Sequence, residues 1–182
     1  VSFEKGKKKV WETFLTKDDI SLAVELLSKW EVQIAAYADD NVYVEEMTDW
    51  AESYGDRNGV QIIQVDSLKD IPRNLYRILA VGNPKLIRKL ESDLKSGYRN
   101  KLYVTRSLPH FCEILSIDAG KDKALDWVCS QINSGAGEVL AFGNGFNDVE
   151  MLKWAGRGVA MEGGESVVFE ACDDTAKSPN QD

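Results

Sequence analysis

The side chains best suited to chemistry lie in the segment GNGFND (143–148), which comes between an apolar stretch and a helical pattern. In parallel sheets, ligands bind beyond the carboxyl ends of strands, where glycines let the backbone approach an anion. A helix that begins there offers free N–H groups to a phosphate. The side-chain oxygens of Asn144, Asn147 and Asp148 suit a hard cation such as Mg²⁺. The segment therefore predicts a phosphate or metal site; a tight turn whose Asn and Asp cap the helix is the alternative.

The histidine and cysteine content argues against several common chemistries. His110 is the single histidine, which disfavours Ser-His-Asp triads, Cys-His pairs and multi-histidine metal sites. The three cysteines, Cys112, Cys129 and Cys172, lack the spacing of a metal-binding or redox motif. Reduced thiols in a cytoplasmic protein are the simplest interpretation.

Charge and hydropathy limit the classes of partner. The chain has 30 acidic and 22 basic residues and a net charge of -8, whereas nucleic-acid binding requires a basic face. No apolar run approaches the roughly 20 residues that span a bilayer, and the first residues lack the apolar region of a secretion signal. We therefore expect neither nucleic acid nor a membrane as a partner.

The hydrophobic pattern before residue 115 is typical of an α+β unit, because it combines strands in a hairpin arrangement with long amphipathic helices. The predicted helices are 18–30, 44–55 (ending at Gly55) and 84–97 (ending at Gly97). The predicted strands are 33–38, 41–44, 60–65, 76–81, 101–106 and 111–117.

Near residue 118 the pattern changes to helices that alternate with short apolar strands, which is the signature of a parallel α/β sheet. The predicted helices are 121–132, 147–155 and about 165–171, and the predicted strands are 138–142 and 158–161. A polar tail follows, in which Asp173 and Asp174 are expected to form an exposed turn.

The order of three segments resembles the haloacid dehalogenase (HAD) superfamily, and more narrowly its Cof-type sugar-phosphatase branch with an α/β (type IIB) cap. The segments are FCEILSIDAGKDKALDWV (111–128), VLAFGNGFNDVEMLKWAGRGVAM (139–161) and SPNQD (178–182). The resemblance implies an α/β fold in which residues 1–116 form an α+β cap. Residues 117–182 would then be the C-terminal part of a Rossmann-like core with a parallel sheet.

The same resemblance implies roles for particular residues. Lys121, selected over Lys123 by the KxxAL frame, matches the family lysine that neutralises the phosphoryl group, and would be both catalytic and phosphate-binding. The implied phosphate-binding set is Lys121, Gly143, Gly145 and Asn147, and the implied Mg²⁺ ligands are Asn144, Asn147 and Asp148. Asn144 stands where the family usually has Asp, so we expect weakened Mg²⁺ binding.

The family's N-terminal DxDx[TV] strand has no counterpart, because the sequence contains no Asp-x-Asp pair. The expected function is therefore that of a Mg²⁺-dependent phosphatase of small phosphorylated metabolites, above all sugar phosphates, present as an inactive fragment without its nucleophilic Asp. The alternative is a non-catalytic HAD-like protein that binds a metabolite or a partner. An incomplete core also predicts self-association through an exposed sheet edge.

Overall fold

A computed structural model describes residues 2–5 and 8–177 of the chain. Packing divides the described residues into two compact units. The first unit comprises residues 2–105 and 109–117, and the second comprises residues 106–108 and the chain from residue 118 onward. The cap and core bounds implied by the family resemblance stay predictions, and the segment SPNQD lies outside the described residues.

The first unit is built on a six-stranded sheet with the order β5-β4-β3-β6-β8-β7, next to a separate antiparallel pair, β1 and β2. The pairing of β4 with β5 is parallel, and those of β3 with β4, β3 with β6 and β6 with β8 are antiparallel. The strands are β1 (Ser2–Lys5), β2 (Lys8–Glu12), β3 (Gln33–Ala38), β4 (Asn41–Val44), β5 (Gln61–Gln64), β6 (Arg77–Val81), β7 (Leu102–Leu108) and β8 (Phe111–Ser116). The helices are α1 (Lys17–Leu27), α2 (Asp49–Asn58) and α3 (Pro84–Tyr98), with a 3-10 turn at Leu68–Asp70.

Helices cover both faces of this sheet. Ala36 and Ile78 belong to the buried cluster that includes residues of α1 and α3. Ala35 and Leu79, which alternate with them along β3 and β6, belong to a second buried cluster with α2. The first unit therefore has two hydrophobic layers around one sheet.

Several predicted helix bounds in this unit are wrong, including the end of helix 18–30, which lies at Leu27, and local contacts explain the bounds of α2. The Thr48 hydroxyl accepts a hydrogen bond from the Ala51 amide, so α2 begins at Asp49, and it ends at Asn58, before the capping residue Gly59, whose φ of 64° is left-handed. Gly55 lies inside α2, where a Cβ would come within 2.8 Å of the Ile62 side chain. Glycine there permits close packing on β5 and is not a stop. Helix α3 likewise runs through Gly97.

The second unit is an α/β arrangement whose three strands, in the order β11-β10-β9, are all parallel. Its strands are β9 (Leu140–Gly143), β10 (Arg157–Met161) and β11 (Asp174–Ala176). Its helices are α4 (Lys121–Gln131), α5 (Val149–Trp154) and α6 (Ser166–Phe169), with 3-10 turns at Ala136–Glu138 and Phe146–Asp148. The predicted α/β fold with a parallel core sheet is thus confirmed.

Strand β11 corrects part of the expectation of an exposed turn at Asp173 and Asp174, because Asp173 is exposed in a bend but Asp174 begins the strand. The Asp173 carboxylate accepts a hydrogen bond from the Gly158 amide at 2.8 Å, and Asp174 pairs with Val159 at the start of β11. Three residues are too few to produce a hydrophobic pattern, so this strand depends on tertiary hydrogen bonds.

One face of the second sheet is packed and the other is open on β9. Ala141 and Ala160 are buried in a cluster with residues of α5 and α6. On the opposite face of β9, Leu140 and Phe142 are 55% and 52% exposed. In the described part of the chain β9 has β10 on one side and no strand on its other side. No described helix has the length and apolarity that crossing a membrane requires.

Candidate active site

The segment GNGFND forms a closed loop between β9 and α5. Strand β9 ends at Gly143, and the 3-10 turn at Phe146–Asp148 leads directly into α5. A Cβ on Gly143 would lie 2.6 Å from the Asp148 Cβ, which is closer than real Cβ contacts allow. Glycine is thus required at residue 143 because the loop folds back onto Asp148.

Asp148 organises this loop from a buried position. One carboxylate oxygen, Oδ2, accepts hydrogen bonds from the backbone amides of Asn144 and Gly145, each at 2.9 Å. The other, Oδ1, accepts a hydrogen bond from the Lys121 ammonium. Burial alone would raise the pKa of Asp148, but the bonds from Lys121 and the two amides outweigh it, and the pKa lies below its usual value. The carboxylate is therefore ionised at neutral pH.

Lys121 is the first residue of α4 and the cation of the site. It follows Gly120, whose φ of 159° lies at the edge of the region that favours glycine, and a Cβ there would come 2.3 Å from the Asp122 side chain. The Lys121 side chain is 47% exposed although the Asp148 side chain is only 7% exposed. An ammonium has three N–H donors, so Lys121 can hold Asp148 and still donate toward solvent. It can neutralise an oxyanion there.

The backbone N–H groups expected to meet a phosphate are arranged differently from the prediction. The sequence predicted that a new helix would offer its free N–H groups to a phosphate, but α5 has six residues and begins only at Val149. The amides of Asn144 and Gly145 donate to Asp148. The alternative of a capping turn holds in part, because the Asp148 carboxylate accepts the Gly145 amide and so caps the 3-10 turn at Phe146–Asp148, although it makes no side-chain cap bond to α5.

The proposed metal ligands are near one another but do not complete a Mg²⁺ site. Asn144 is exposed and its carbonyl accepts the Glu165 amide at 3.0 Å, whereas Asn147 is half-buried beside Gly145. Both oxygens of Asp148, the single carboxylate of the set, are already engaged. No group of three His, Cys, Asp or Glu residues suited to a metal occurs among the described residues. The donors therefore do not fit Mg²⁺ without further carboxylates.

Arg106 is a residue near the site that sequence reasoning missed. Its guanidinium carbon lies 3.6 Å from the ring centroid of Phe146, and Arg106 is only 7% exposed. The sequence contains no signal for this contact, because Arg106 lies in a strand far from the loop along the chain. Gly143, Asn144, Gly145 and Asn147 lie in the loop, and Lys121 contacts Asp148 directly, while their roles toward phosphate and metal stay predictions.

In the second unit, α4 presents Lys121 to a glycine-rich loop that contains the buried Asp148. The family model for haloacid dehalogenase-like hydrolases matches residues 2–182. The chain therefore belongs to the haloacid dehalogenase-like hydrolase family, as its resemblance implied.

Curated relatives and solved structures agree with this assignment. YxeH of Bacillus subtilis is 26% identical over 179 residues, covering 94% of this chain and 65% of the relative. The 5-amino-6-(5-phospho-D-ribitylamino)uracil phosphatase YwtE of Bacillus subtilis is 27% identical over 134 residues, covering 72% of this chain and 46% of the relative. The crystal structure of a haloacid dehalogenase-like hydrolase from Bacteroides thetaiotaomicron matches with a TM-score of 0.73 and 27% identity, covering 97% of this chain and 67% of that one. The chain thus spans less than two thirds of the length of these two curated relatives.

Proposed function

We propose that this chain is the cap and the second half of the core of a phosphatase that acts on small phosphorylated metabolites, above all sugar phosphates. The observation that carries the proposal is the Lys121 ammonium, which an ionised Asp148 holds beside the glycine-rich loop. Charge stabilisation and positioning are most of what a protein contributes to phosphoryl transfer. Lys121 is the group that can supply this stabilisation.

The chemical contribution of this chain is electrostatic. Asp148 fixes the Lys121 ammonium, so that its exposed N–H groups meet a phosphoryl oxygen without reorganisation. The side chains of Asn147 and Asn144 are the other loop groups that can donate a hydrogen bond to such an oxygen. The group that attacks phosphorus is not among these residues, because the sequence has no Asp-x-Asp pair. Mg²⁺ dependence of the intact phosphatase is part of the proposal. It would require carboxylates in addition to that of Asp148.

The substrate class rests on similarity. YwtE, at 27% identity, is a phosphatase whose name gives a phosphorylated ribityl compound as its substrate. A small phosphorylated polyol or sugar is therefore the class that we propose for this chain. Nucleic acid is not proposed, since the net charge of -8 disfavours phosphate-backbone binding.

A second candidate is a non-catalytic protein of the same family that binds a metabolite or a partner. The absence of an Asp-x-Asp pair from the sequence favours it for the chain as printed. The uncovered edge of β9, with half-exposed Leu140 and Phe142, suits self-association as the partner interaction.

Orthophosphate binding tests the part of the proposal that both candidates share. Isothermal titration calorimetry of the 182-residue chain should detect binding, and Lys121→Ala should raise the Kd about tenfold or more, since a charge-assisted hydrogen bond is lost. Lys153→Ala, at an exposed position of α5, is the matched control and should leave the Kd unchanged. Equal affinity of the wild type and Lys121→Ala would refute the assigned role of Lys121.

A further inference from the structure

We infer that Arg106 is a positioning residue of the phosphate site and acts through Phe146. This inference rests on the proposed function, because the loop it holds is the one that carries the proposed phosphate site. The observation is the stacking of a buried guanidinium on the ring of Phe146, at 3.6 Å from the ring centroid. This residue lies outside every segment that carries the family resemblance.

The loop needs an anchor on its Phe146 side. Asp148 holds the amides of Asn144 and Gly145, and the Glu165 amide holds the Asn144 carbonyl. These bonds fix the first half of the loop. In the second half, the Asp148 amide donates to the Gly145 carbonyl at 3.0 Å and closes the 3-10 turn. This bond spans Phe146 and Asn147 without holding their side chains, so the packing of the Phe146 ring adds to what orients them.

Arg106 has the properties that such an anchor requires. A cation within about 6 Å of an aromatic centroid is attracted to the ring, and the attraction is stronger where water is excluded. Arg106 is 7% exposed, so its guanidinium is largely desolvated. Guanidinium stays charged at all accessible pH values and stacks flat on aromatic faces, which a lysine ammonium does less well.

The position of Phe146 determines that of Asn147. Phe146 begins the 3-10 turn at Phe146–Asp148, so a fixed ring also fixes the turn that presents Asn147 and Asp148. Asp148 in turn holds Lys121. Loss of the Arg106 contact should allow the turn to sample other directions, and orthophosphate would then have to order the loop as it binds.

A double-mutant cycle on the 182-residue chain tests this inference with inorganic orthophosphate as the probe. Arg106→Met and Phe146→Leu should each raise the Kd about tenfold, as expected for loss of a desolvated cation–π contact. The double variant should bind no more weakly than either single variant, because both remove the same contact. Phe146→Tyr, which keeps an aromatic face, should retain wild-type affinity. Arg157→Met removes an exposed guanidinium from the same unit and is the charge control.

Amide hydrogen exchange provides a readout that does not depend on phosphate. Arg106→Met and Phe146→Leu should both speed exchange at the amides of Asn144 and Gly145, whereas Arg157→Met should not. Should Arg106→Met fail to fold, Phe146→Leu carries the same test from a half-buried loop position.

The outcomes separate the two proposals. If the wild type does not bind orthophosphate, the proposed function fails, and the exchange data alone then decide whether Arg106 holds the loop. If orthophosphate binds but Arg106→Met changes neither the Kd nor the exchange rates, the inference is overturned. It is also overturned if the effects of Arg106→Met and Phe146→Leu add, because Arg106 would then act on the anion directly and not through the ring.

Discussion

The sheet of the first unit has helices on both faces, whereas the three-stranded sheet of the second unit leaves one face of β9 open. Ala35 and Ala36, on opposite faces of β3, are both fully buried, but Leu140 and Phe142 on β9 are about half exposed. Parallel sheets are normally covered on both faces. The comparison indicates that the first unit is self-sufficient, while the second presents a site loop on an incompletely covered sheet.

The largest expected effect is on the rate at which the chain hydrolyses phosphate esters. The second unit carries Lys121 and the glycine-rich loop, but the sequence supplies no Asp-x-Asp pair to attack phosphorus. Loss of a nucleophile typically removes most of the rate enhancement of an enzyme. The purified 182-residue chain should therefore hydrolyse p-nitrophenyl phosphate at the background rate. Robust Mg²⁺-dependent release of phosphate by protein of verified mass would contradict this expectation.

The next effect concerns one buried carboxylate from each unit that is paired with a cation, Asp148 in the second unit and Glu113 in the first. Asp148 accepts two loop amides and Lys121, whereas Glu113 pairs with Arg77 at 3.1 Å on the first sheet. Asp148→Asn should lower stability by about 1–3 kcal/mol, because it weakens charge-assisted bonds at a buried position. It should also speed exchange at the Asn144 and Gly145 amides. Glu113→Gln is the control, and should leave those two amides protected.

The pH dependence of this effect has a definite sign. The folded pKa of Asp148 is lowered, so its stabilising contribution is present above its ordinary pKa of about 4 and is lost as the pH falls through the folded value. The melting-temperature difference between wild type and Asp148→Asn should therefore be larger at pH 6 than at pH 3. An equal difference at both pH values would mean that the Asp148 charge does not hold the loop.

The sequence allowed the fold class to be predicted better than the geometry of the site. The hydrophobic pattern predicted strands at 33–38 and 41–44, and the structure confirms the bounds of both. The end at Gly55 was wrong because a glycine can pack inside a helix as well as end one, and the helix predicted to end at Gly97 runs one residue further, to Tyr98. The contact between Arg106 and Phe146 could not be predicted, since it joins residues that share no motif and depends on tertiary packing.

A smaller effect, on self-association of the chain, is expected when the open face of β9 is changed. Leu140 and Phe142 are half exposed on an edge strand, so the chain should associate with a second copy of itself in a concentration-dependent way. The double variant Leu140→Ser and Phe142→Ser should shift light-scattering masses toward monomer. Phe169→Ser, at another exposed apolar position of the second unit, is the control. A wild type that stays monomeric at all concentrations would contradict the proposed association.

The smallest expected effect is on metal binding at residue 144. Asn144 is exposed, and Asn and Asp are nearly isosteric, so Asn144→Asp should add a charged oxygen ligand with little change in packing. Because both oxygens of Asp148 are already engaged, the added carboxylate would be the first one in the loop that is free to meet a cation. Calorimetric titration of Mg²⁺ into the Asn144→Asp variant should give measurable binding, and the wild type should bind Mg²⁺ more weakly. Asp173→Asn is a control that changes charge at the far end of β10. Identical Mg²⁺ affinities for Asn144→Asp and the wild type would mean that residue 144 is not a metal position.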